Sequence, residues 1–133
     1  LELLNQEAEE LFTSSMGAGS AVNYNLGIVK IIQGDYDAAA SYFGNTESFN
    51  NALLKVLQDD FQAANSMLND LDKNFAKIDY LKAVIAANQD QDELVFESLR
   101  VAFSKNADLK ERAKVDVEFA EYFENETFQD LVD

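Results

Sequence analysis

Between Tyr24 and Phe43 the chain reads YNLGIVKIIQGDYDAAASYF, and its apolar positions Leu26, Ile28, Val29, Ile31 and Ile32 are too dense for a single exposed face. That density predicts a helix buried on more than one side. Gly34–Asp35 stops it, Asp35 is placed to cap a second helix, and that helix is alanine-rich and closes on Phe43. The pattern returns 25 residues later, without a gap, in FNNALLKVLQDDFQAANSML, Phe49–Leu68. Asn25 falls on Asn50, Lys30 on Lys55, Gln33 on Gln58, Asp35 on Asp60, Ala38 and Ala39 on Ala63 and Ala64, and Ser41 on Ser66. A looser third copy, YLKAVIAANQDQDELVFESL, occupies Tyr80–Leu99. Ahead of them, Gln6–Phe12 matches the second half of a copy through Ala8, Leu11 and Phe12. Repetition of this kind predicts stacked helix–turn–helix units.

The final stretch breaks the pattern. Leu109, Ala113, Val117, Phe119, Phe123, Phe128 and Leu131 are the apolar positions of two or three short amphipathic helices, suited to cover the open end of a repeat stack. The expected organisation is all-α, a single repeat domain over 1–133. It comprises the second helix of a partial repeat over 1–14, hairpins over 21–44, 46–70 and 75–104, and a helical cap over 107–133. Leu1 already stands inside a helical pattern, as in a piece of a longer chain or one whose leader has gone.

Glycine in mid-helix costs roughly 1 kcal/mol against alanine, so Gly27 needs a reason. Its equivalents are Ala52 and Ala83, and small residues recur at Ala39 and Ala64. Small positions on facing helices let backbones approach, while Tyr36, Phe43, Phe61 and Leu68 fill the space beside them. A large side chain at Gly27 is expected to overpack that contact, at about 1–3 kcal/mol.

Leu26–Gly27, then Gly34-Asp35-Tyr36, then Ala39, then Phe43 resembles the tetratricopeptide repeat, with its Leu-Gly pair, Gly-x-Tyr turn, small residue and aromatic. The second copy keeps Ala52, Phe61 and Ala64; the third keeps Ala83. The copies lie 25 and 31 residues apart, whereas that family's period is about 34. Its usual Trp and Pro are missing, so short helices and an irregular stack are expected. Ser98–Val132 is similar to the closing segment of certain bacterial tetratricopeptide proteins through Leu109, Arg112–Ala113, Asp116, Glu118–Phe119 and Phe128. The resemblance implies an α–α superhelix with C-terminal capping helices, acting as a non-catalytic scaffold that holds a peptide or protein partner on its concave face. The alternative it leaves open is a structural spacer or self-association module of a larger bacterial envelope protein. It favours the envelope or periplasm over the cytoplasm.

In such a family the first helix of each repeat lines the groove. By register this gives Tyr24, Asn25 and Ile28, then Phe49, Asn50 and Leu53, then Lys77, Tyr80 and Val84. The set is mostly apolar with two amides, suited to an amphipathic helix or an extended peptide. The same aromatic and aliphatic members equally suit core between repeats. Only Asn50 and Lys77 fit the Lys/Asn/Arg clamp with which relatives grip carboxylate-ending peptides, so that capture is not expected.

Composition narrows the chemistry. There is no His, Cys, Trp or Pro, which removes thiolate and imidazole metal sites and the Ser–His–acid triad. The net charge of −15, with 10 basic against 25 acidic residues, argues against nucleic acid and anionic lipid as partners. Asn88–Asp92 opens like a calcium loop, but its sixth and twelfth places hold Glu93 and Leu99, not the required Gly and Glu. No carboxylate pair is singled out for glycoside cleavage, no phosphate loop follows Gly17 and Gly19, and no apolar run is long enough to insert in a membrane. Catalytic residues, metals and cofactors are therefore not expected.

Overall fold

A computed structural model describes residues 20–133, all of whose regular structure is helical. The half-repeat expected over 1–14 lies outside these residues. The chain divides into two compact units with the boundary between Met67 and Leu68.

The described part of the first unit contains α1 (Ser20–Ile32), α2 (Tyr36–Phe43), α3 (Phe49–Leu57) and most of α4 (Phe61–Asn69). α1 packs along α2, and α2 meets α3. Ala39, Phe43 and Leu54 form the buried centre, with Tyr24, Ile28, Ile31, Tyr36 and Ala40 against it. Gly27 lies directly over Phe43: a Cβ built there would stand 2.5 Å from Cε1 and 2.6 Å from Cδ1 of the ring. The close approach expected from the small residue is thus an aromatic ring resting on the helix backbone.

The second unit holds α5 (Ala76–Asn88), α6 (Asp92–Lys105), α7 (Leu109–Ala113), a 3-10 helix (Val117–Tyr122) and α8 (Glu126–Val132). α5 and α6 form its hairpin. Phe119, Tyr122 and Phe128 of the cap are buried beside it. Phe119 meets Tyr80 edge-on with ring centroids 5.5 Å apart, and Tyr122 meets Phe96 the same way at 5.7 Å. Val117 does not join the apolar side of the cap as the sequence pattern suggested; it is 81% exposed, and Tyr122 is buried instead. The cause is a break in the helix: α7 ends at Ala113, so Val117 does not continue the row of Leu109 and Ala113 but opens a separate 3-10 helix, whose inward residues are Phe119 and Tyr122.

The turn within each hairpin is the same object three times. Gly34, Asp59 and Asp90, at one repeat position, have left-handed backbones with φ of 78°, 61° and 57°. The next residue's N–H closes the helix behind it: Asp35 donates to the Lys30 carbonyl (2.9 Å), Asp60 to Lys55 (2.8 Å) and Gln91 to Ala86 (2.9 Å). This six-to-one bond over a left-handed residue is the Schellman termination. Asp35 then caps α2, its Oδ1 accepting from the Ala38 N–H at 3.1 Å, and Asp60 does the same for Ala63 at 3.2 Å.

Candidate functional site

The first unit carries an open concavity of ≈ 490 Å³. α1 supplies Ala21, Asn23, Tyr24 and Asn25 to its walls, α2 supplies Tyr42 and Phe43, and Thr46 closes it from the loop beyond. The Tyr24 and Phe43 rings lie 5.4 Å apart, tilted by 48°, so the buried ring fixes the half-buried one. The Tyr24 hydroxyl accepts a hydrogen bond from Asn50 Nδ2 at 2.7 Å. Two residues from equivalent helices of different copies are thereby joined, α1 giving the phenol and α3 the amide.

The residues expected to line a groove fall into three groups. Tyr24 and Asn25 border the concavity, and Asn50 is tied to it through Tyr24. Ile28 is half-buried against the Phe43 core, and Phe49 and Leu53 are half-buried on α3. In the second unit Lys77 is exposed, but Tyr80 and Val84 are each only 6% exposed and so offer almost no surface to a partner. The Tyr80 hydroxyl donates to Asp116 Oδ2 at 2.7 Å, and the Arg112 guanidinium stands 5.4 Å over its ring. Burial, followed by the bond to Asp116, pushes the Tyr80 phenol well above its ordinary range. Burial and the Tyr122 hydroxyl's 2.6 Å bond to Asp92 Oδ1 do the same for Tyr122. Both phenols fasten cap to hairpin.

Asn23, Tyr42 and Thr46 border the concavity without having been expected there. Asn51 is a further surprise, a side chain only 1% exposed at the position that Leu26 holds in the first copy. Its Nδ2 donates to the Thr46 carbonyl at 2.8 Å and more distantly to Gly44 at 3.5 Å, pinning the loop that carries Thr46. Its Oδ1 has no hydrogen-bond partner among the described residues. An amide interrupting the core register was the sequence signal for this role.

The side chains around the concavity are uncharged: amides, phenols, one hydroxyl and an aromatic floor. Such a surface can hydrogen-bond a peptide backbone and bury apolar side chains. Among the described residues no group of three His, Cys, Asp or Glu is arranged to hold a metal ion, and no helix is long and apolar enough to cross a membrane. No family model matches the sequence, no curated protein matches it, and no solved structure matches the fold.

Proposed function

We propose that the chain is a non-catalytic scaffold of tetratricopeptide-like helical hairpins that holds a peptide or protein partner against the concavity of its first unit. The observation that carries this reading is that Tyr24 and Asn25, two positions named from the repeat register, line one open and uncharged concavity, and that a third, Asn50, is hydrogen-bonded to the Tyr24 hydroxyl. The three in-register Schellman turns support the repeat reading, because they occur at the same position in each copy whether or not glycine is present. A rigid-spacer reading draws instead on the burial of Tyr80 and Val84.

The test is a pull-down from extracts of the source cell with the immobilised chain and with an Asn23→Lys/Asn25→Lys variant. Both positions are exposed, so the variant is expected to keep the parent's circular dichroism. A protein retained by the parent and lost by the folded variant supports the scaffold. Retention of the same proteins by both, or of none, favours the spacer.

A further inference from the structure

A second concavity, of ≈ 390 Å³, lies in the second unit between α6 and α8, lined by Glu93, Leu94, Phe96, Glu97, Arg100 and Thr127. Leu94 is 48% exposed, and Val101, two turns further along the same face, is 36% exposed. Phe96 is buried at the floor. Glu93 and Glu97 are four residues apart on this helix, a like-charge spacing that disfavours the helix carrying it. Some other charges of the unit pair internally: Lys105 bonds Asp79 at 2.6 Å and Lys114 bonds Glu111 at 2.9 Å. Among the described residues the carboxylates of Glu93 and Glu97 make no such pair.

We propose that this groove receives a cationic amphipathic segment of a partner protein. Lysine or arginine side chains of the segment lie along Glu93 and Glu97 and relieve their mutual repulsion. An apolar side chain seats on Leu94 and Phe96, and Arg100 ends the acidic track one turn beyond Glu97. The sign of the partner follows from the charges of this wall and from the net −15 of the whole chain, which disfavours anionic segments. The site is separate from the concavity of the first unit and does not depend on its function.

The experiment is fluorescence anisotropy of the full chain with two labelled synthetic amphipathic peptides sharing the same leucines, one carrying lysines and the other glutamates. The lysine peptide is expected to bind and the glutamate peptide not. Leu94→Ser and Glu93→Gln/Glu97→Gln are each expected to weaken binding about tenfold, the scale of one lost apolar or charged anchor. Asp108→Asn/Glu111→Gln, at the N-cap and in the first turn of α7, removes the same charge elsewhere and is expected to leave binding within about twofold. Amide chemical shifts of the parent should move at Leu94, Glu97 and Thr127, a readout that stands if any variant fails to fold. Equal weakening by both charge variants would reduce the effect to the general acidic field and overturn the proposal. Binding of the glutamate peptide, no binding at all, or shifts confined to other helices would overturn it as well.

Discussion

Replacing Gly27 with alanine sets two effects of opposite sign against each other. Helix propensity alone makes Gly27→Ala stabilising by about 1 kcal/mol, because alanine restricts the unfolded chain and suits a helix interior. The added methyl, however, would lie 2.5 Å from Cε1, 2.6 Å from Cδ1 and 2.9 Å from Cζ of Phe43, where carbon atoms rest at about 3.5–4.0 Å. The ring cannot swing aside cheaply: Phe43 is buried, packed by Tyr24 and clustered with Ala39 and Leu54. Overpacking of a filled core costs about 1–3 kcal/mol, so the sum is a net loss of up to about 2 kcal/mol. The third copy shows a different solution at the equivalent positions, Ala83 with Leu99, both fully buried. Phe43→Leu should therefore be better tolerated beside Gly27→Ala than alone, with a favourable coupling of about 1 kcal/mol. Urea unfolding of the four proteins of this double-mutant cycle, followed by circular dichroism, measures each term. If Gly27→Ala proves more stable than the parent, or the two changes add without coupling, the packing argument is wrong.

Four further outcomes follow from the same structure. Tyr80→Phe is expected to cost about 1.5–3 kcal/mol, the worth of a hydrogen bond to a charged acceptor, with the loss read from urea unfolding. Because folding raises the Tyr80 and Tyr122 phenols above their ordinary value of 10.0, their contribution is complete below that pH and declines as pH rises above it. The Tyr80→Phe/Tyr122→Phe protein should accordingly lose less stability than the parent between neutral and strongly alkaline pH; parallel losses would contradict this. Asp90→Gly removes a non-glycine residue from a left-handed position, and a gain of roughly 0.5–1 kcal/mol is expected, seen as a higher melting temperature, while Gly34→Ala at the matching turn should lose about 1 kcal/mol. Asn51→Asp replaces the buried donor that holds the Thr46 and Gly44 carbonyls by a second acceptor, and a loss of more than about 2 kcal/mol by thermal melting is expected.

The hairpins were legible because the second copy repeats the first without a gap, so one set of breaks and caps explained both. The left-handed turn was legible at Gly34 and hidden at Asp59 and Asp90, where aspartate takes the same conformation by tolerance rather than by obvious signature. In the cap, the four-residue spacing of Leu109, Ala113 and Val117 grouped Val117 with the apolar face; the helix ends at Ala113, and the 3-10 helix that begins at Val117 turns Phe119 and Tyr122 inward instead. At the candidate site, register named Tyr24, Asn25 and Asn50, of which the structure sets Tyr24 and Asn25 on one concavity and bonds Asn50 to Tyr24. It could not foresee the surroundings of Tyr80, since the third copy alone is followed by a cap, and Phe119 of that cap covers the ring that register would leave on the surface. Thr46 borders the concavity through the bend of one particular loop, beside Asn23 and Tyr42 of the two helices, and Asn51 holds that loop by side-chain hydrogen bonds that periodicity does not encode.

The most direct test of the scaffold reading is amide hydrogen exchange of the chain alone and in complex with whichever protein the parent retains and the Asn23→Lys/Asn25→Lys variant loses. The account predicts added protection in α1 around Tyr24 and Asn25, in the loop at Thr46 and in α3 around Asn50, with little change in α5. Protection confined to other helices, or none on complex formation, would contradict it.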